Sequence, residues 1–157
     1  NVKQILIEYK MEVTNLKLLA TSDKDLRVIA AHLQDAIVSL KDIANLKKNR
    51  IFLIQLNRFM WEDVEKGVFR KNKRIRTILK FDNVVSVLSQ NINRNNKNFF
   101  LDFLTIESIL LSDKSYEIKL IFSGKAIIKI NTEVIDVTLD DQGSPWESKR
   151  IPKHNFL

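Results

Sequence analysis

Between Tyr116 and Ile130 apolar residues return at every second position. Tyr116, Ile118, Leu120 and Phe122 alternate with Glu117, Lys119 and Ile121; Ser123-Gly124 interrupts; Ala126, Ile128 and Ile130 then resume on one face. A period of two is that of a strand, whose side chains point alternately to opposite faces, and a short break carrying Gly is a hairpin turn. The same period recurs elsewhere. Leu16–Ala20 reads as a short first strand, and Val38 and Leu40 alternate with Ser39 and Lys41. Ile51–Phe59 places Phe52, Ile54 and Leu56 on one face, with Ile51 and Leu53 making the other partly apolar, as expected near a sheet centre. Arg76–Phe81 and Val84–Ser89 flank Asp82-Asn83, and Phe99–Leu111 and Tyr116–Phe122 flank Ser112–Ser115.

One segment breaks this rule. Leu26, Ile29, Ala30 and Leu33 follow at i, i+3, i+4 and i+7, a helical stripe, and Ser22 with Asp25 three residues on has the form of a capping box. Asp23 and Asp25 also favour the positive helix N-terminus. The spacing predicts a helix from Ser22 through about Gln34 that packs by one face. Glu133–Gln142 fits two periods: Ile135, Val137 and Leu139 alternate like a strand, whereas Val134, Ile135, Thr138 and Leu139 make a helical stripe with Gly143 where a C-cap would stand. The short helix is the preferred reading.

With no βαβ alternation, the expected fold class is α+β: an antiparallel sheet or partly open barrel of six to seven strands with one N-terminal helix and a short C-terminal one, pleckstrin-homology-like at the level of fold. At 157 residues one domain is expected, over 14–143, with a flexible leader at 1–13 and an extended tail at 144–157. Met11 is a candidate natural start. Trp61–Lys73 and Asn91–Asn98 read as loops.

Several kinds of chemistry fall away on composition. There is no cysteine, which removes disulfides, zinc–thiolate sites, iron–sulfur clusters and thiol nucleophiles. The three glycines, Gly67, Gly124 and Gly143, are too far apart to cradle phosphates, and no Gly-x-Ser-x-Gly elbow occurs. No run of apolar residues is long enough to span a membrane as a helix. Of the two histidines, His32 lies on the flank of the helical stripe, where a backbone-bonded boundary residue is the plainer reading than a general base oriented by Asp35, and His154 lies in the tail. Glu133, Asp136, Asp140 and Asp141 form an acidic cluster without calcium-loop spacing, read as a solvated face. No catalytic residue, metal ligand or cofactor is assigned.

Two constellations remain. Arg70, Lys71, Lys73, Arg74 and Arg76 crowd into seven positions, and Lys47, Lys48 and Arg50 form a second basic cluster; with a net charge of +7 they are candidate nucleic-acid contacts if they line one groove, with Phe69 to stack on a base. Charged edges that block strand pairing and a lysine-rich surface explain the same residues without a ligand. Asn57, Arg58, Trp61 and Glu62 form a candidate interaction cluster, since Trp and Arg are favoured interface anchors. The internal alternative has Trp61 covering an open end of the core and Arg58 pairing with Glu62 or a tail carboxylate. Trp146, after Pro145, is expected to fill a hydrophobic notch on this domain or on a partner subunit.

Four separated segments resemble a known family. His32-Leu33-Gln34-Asp35-Ala36 is similar to its HLQDA segment, Leu56–Phe59 with Trp61-Glu62 to its LNRFxWE segment, and Arg74, Arg76, Leu79, Phe81 and Asp82 to its RxRxxLxFD stretch; Gly143, Pro145, Trp146, Pro152 and His154 match its GxPWxxxxxPxH tail. The family is a set of uncharacterised proteobacterial proteins with a domain of unknown function, and the likeness runs from about Leu16 to His154. It implies a bacterial, cytoplasmic protein and transfers no activity. The expected function is a non-enzymatic protein-binding or adaptor module, self-associating or with a protein partner and without membrane contact. An RNA-binding accessory protein is the alternative, and an enzyme whose site is scattered in sequence the third.

Overall fold

The computed structural model describes residues 16–62 and 73–148. Ten strands and one α-helix are found among them: β1 (Lys17–Ala20), α1 (Asp23–Leu33), β2 (Ile37–Ser39), β3 (Ile43–Leu46), β4 (Ile51–Phe59), β5 (Lys73–Phe81), β6 (Val84–Gln90), β7 (Phe100–Ser112), β8 (Ser115–Phe122), β9 (Ile127–Thr132) and β10 (Val137–Glu147). All pairings are antiparallel, in the order β1-β10-β5-β4-β2-β7-β8-β9-β6, with β3 beside β4. The expectation of six to seven strands is therefore corrected to ten in one sheet.

Two places account for much of the difference. The strand expected around Val38 is cut in two: Leu40–Asp42 form a 3₁₀ turn, after which β3 pairs with β4 through Ile43↔Ile54 and Leu46↔Ile51. The second is Glu133–Gln142, which holds a strand and no helix. Val137, Leu139 and Asp141 alternate as buried positions between β1 on one side and β5 on the other. The third inward position is a carboxylate, so the apolar alternation stops one step early in sequence. β10 also runs on through Ser144–Glu147, the residues read as the start of an extended tail. A register shift between Gln142 and Trp146 coincides with Gly143 at φ +71°, a left-handed conformation that glycine adopts without a Cβ penalty. Pro145, which has no N–H to donate, lies beyond the stretch of β10 that β1 pairs.

α1 forms as its sequence dictates. Ser22 accepts from the Asp25 N–H at 3.2 Å, and the Asp25 carboxylate accepts from the Thr21 N–H at 3.0 Å. That bond holds the Asp25 carboxyl below its ordinary value. Leu26, Ile29, Ala30 and Leu33 are buried, and Ser108 on β7 donates to Asp23 at 2.6 Å. The sheet also returns on itself: the Val84 N–H of β6 donates to the Arg50 carbonyl before β4, and Arg50 Nε donates back to the Val84 carbonyl. One apolar core joins α1 to both halves of the sheet, with Phe52 near Phe81 and Phe103 edge-on to Phe122. No helix among the described residues is long and apolar enough to cross a membrane.

Candidate functional site at the β4–β5–β10 end

Toward the end of β4 the side chains still alternate, so Leu56 and Arg58 point into the core while Asn57 and Phe59 lie on the opposite face of the sheet, where Phe59 is nonetheless fully buried. Arg58 is thereby carried into the core, where its side chain is 0 % exposed. Nε and Nη2 donate to the two oxygens of Asp141 at 2.8 and 2.6 Å; Nη2 and Nη1 donate to the two oxygens of Glu62 at 2.7 and 3.0 Å; Nη1 also reaches the Phe59 carbonyl at 3.4 Å. A guanidinium has five N–H donors, and all five are used inside the protein. Burial works against the charge on Arg58, but the bonds and charges of Asp141 and Glu62 outweigh it and raise its pKa. Burial likewise pushes the Glu62 carboxyl up, and the Arg58 bonds and charge, with a smaller contribution from His32, overcome this and hold it low.

Asp141 does more than neutralise Arg58. Its Oδ2 accepts from the Leu16 N–H at 2.9 Å and its own N–H donates to the Leu16 carbonyl, tying the entry to β1 to the middle of β10. Arg58 thus has the internal role, paired with Glu62 and with an acid of the cluster read as a solvated face. The rest of that cluster is dispersed: Glu133 pairs with Arg50 at 2.7 Å, and Asp136 and Asp140 are half-buried. His32 hydrogen-bonds through Nδ1 to the Val28 carbonyl of its own helix at 2.9 Å.

On the opposite face of the sheet the remaining motif residues meet around the buried Phe59. Trp61 Nε1 donates to the Gln34 carbonyl at 2.9 Å, and its ring meets Phe59 edge-on with centroids 4.7 Å apart. Arg74 on β5 lies opposite Phe59 in register; its guanidinium carbon sits 5.9 Å from the Phe59 centroid, and Nη1 donates to the Asp35 and Asn57 carbonyls at 3.2 and 3.1 Å. Burial lowers the Arg74 pKa, and the charges of Asp35 and Asp102 oppose the shift. Trp146 on β10 is the next residue along this row, opposite Arg74 and 40 % exposed. The expected internal notch for Trp146 is thus not filled; the ring stands at the surface, on the face that carries Trp61.

The described members of the two basic clusters are not brought together. Lys47, Lys48 and Arg50 lie at the turn before β4, whereas Lys73, Arg74 and Arg76 pair with its far end, through Phe59↔Arg74 and Asn57↔Arg76. Nine strand residues separate the two ends, roughly 26 Å. Arg50 is engaged with Glu133 and Val84, and Arg74 is turned onto Phe59. Arg70, Lys71 and Phe69, like Pro152 and His154, lie outside the described residues.

Sequence reasoning missed Asp141, whose signal was an acid at the continuation of an apolar alternation. It also missed Arg94 and Lys97, which border a cleft described below.

A family model described as a protein of unknown function (DUF2948) matches residues 16–154. No curated protein and no solved structure matches the chain. The chain belongs to this family of unknown function, DUF2948, and three of the segments that carry the likeness, around His32, Arg58 and Arg74, converge at one end of the sheet.

Proposed function

We propose that this protein is a non-enzymatic binding module that recognises a protein partner through the outer face of β4, β5 and β10. The observation that carries this reading is Trp146, 40 % exposed and in register with Arg74, on the face where Trp61 packs beside Phe59. Trp and Arg are the residues most enriched at interface hot spots, because a large amphipathic side chain gains much from losing water at modest entropic cost. Arg76, exposed on the same face, gives the surface a positive rim and favours a partner with acidic residues beside its apolar anchor. The role of Arg58 is to hold this face in place, since its donors are spent internally.

The test is affinity capture on the full chain from native lysate, with and without nuclease, comparing wild type, Trp146→Ala and Arg76→Glu. Arg76 is exposed, so Arg76→Glu should keep its stability within about 0.5 kcal/mol of wild type, and a thermal melt of Trp146→Ala confirms that this variant remains folded. A protein retained by wild type irrespective of nuclease and lost from both variants supports the reading. Identical captures from all three would overturn it, and a capture abolished by nuclease would point to nucleic acid.

A further inference from the structure

β3 pairs with β4 along one edge and β6 pairs with β9 along one edge; among the described residues no strand pairs with the other edge of either. Between them lies a cleft of about 330 Å³. Phe52 and Ile128, both nearly solvent-free, form its floor, and the half-buried Ile43, Val87 and Ile92 form its walls. Asn45 and Ser89 supply polar groups that a ligand can hydrogen-bond. Arg94 and Lys97 stand exposed at the rim, and among the described residues neither is in an ion pair and no acid lines the cleft.

Three hydrogen bonds brace the rim loop. The Asn93 side chain accepts from the Asn95 N–H, that of Asn96 accepts from the Asn98 N–H, and Ser39 Oγ donates to the Lys97 carbonyl at 3.2 Å. The two cations are therefore presented on a braced loop beside an apolar hollow whose size is at the lower end for small-molecule sites, roughly 300–1,000 Å³. We propose that this cleft binds a small amphiphilic anion: an aliphatic chain lies on Phe52 and Ile128, and its carboxylate or phosphate head meets Arg94 and Lys97. The site is independent of the Trp146 face, since Phe52 and the Phe59–Arg74 pair lie toward opposite ends of β4.

The experiment titrates the full chain with decanoate, decyl phosphate and decanol, following the isoleucine methyl resonances. Decanoate or decyl phosphate should saturate and bind roughly tenfold more tightly than decanol, from two exposed charge contacts, with an advantage that shrinks as salt is raised. The Ile43, Ile92 and Ile128 methyls should shift, and that of Ile75, buried at the far end of the sheet, should not. Arg94→Glu with Lys97→Glu should abolish the preference for the anions, and Ser89→Trp should weaken all three ligands by filling the cleft; both changes are at exposed positions, and an unaltered thermal midpoint confirms folding. Which anion binds more tightly assigns the head group. Failure of both anions to saturate in the millimolar range, equal binding of decanol, or indifference to the charge reversal would overturn the proposal.

Discussion

Arg58 and Asp141, 83 residues apart in the chain, meet through two parallel hydrogen bonds of 2.8 and 2.6 Å with neither side chain reaching solvent. Removing Arg58 leaves Asp141 buried without its counter-ion and takes from Glu62 its partner as well. Arg58→Met should therefore destabilise the fold by roughly 3–5 kcal/mol in urea denaturation. Arg58→Met combined with Asp141→Leu should cost clearly less than the two single changes added together, the residue of the loss being Glu62 left without its guanidinium and the Leu16 N–H deprived of its acceptor, the latter about 1–3 kcal/mol. Strict additivity would show that the two residues do not act as a pair.

Glu62 gives this cluster a pH dependence. Its folded pKa is depressed, so its contribution is fully present above its unfolded value and is lost as pH falls through the folded one. Wild type should accordingly lose its stability advantage over Glu62→Gln as pH is lowered from about 6 to about 3. A difference between the two proteins that stays constant over that range would remove Glu62 from the account.

Thr77 on β5 lies opposite both Leu56 and Asp141, fully buried, and its hydroxyl has no hydrogen-bond partner among the described residues. A buried hydroxyl without a partner pays for lost hydration and gains nothing in return. Thr77→Val keeps the shape and removes the hydroxyl, so the thermal midpoint should rise, corresponding to about 1 kcal/mol. A fall of similar size would reveal a partner for the hydroxyl, such as a bound water.

The helix can be probed at its cap and in its stripe. Ser22→Ala should cost about 1 kcal/mol by freeing the Asp25 N–H. Leu33→Ala, at a position 0 % exposed, should cost roughly 2–5 kcal/mol. Equal effects in chemical denaturation would mean that Leu33 contributes no more than a surface cap.

The sequence by itself determined those elements whose signal is local. The capping pair Ser22 and Asp25, the stripe from Leu26 to Leu33, and the two-residue period of Ile51–Phe59 and Tyr116–Phe122 each depend on neighbours within one or two turns, so they are legible without knowing what they pack against. β10 was legible only as one of two competing periods, because its strand character is decided by burial between β1 and β5, and because the Asp141 carboxylate occupies an inward position made tolerable by Arg58 and the Leu16 N–H. The same long-range pairing decided what the motif residues do. Sequence could bring Arg58 and Glu62 within reach but could not choose between an outward and an inward guanidinium; the sheet register sends Arg58 inward and leaves Trp146 outside beside Arg74. The separation of the two basic clusters and the apolar cleft between β3 and β6 likewise belong to tertiary structure, since each depends on which strand edges pair and which stay open.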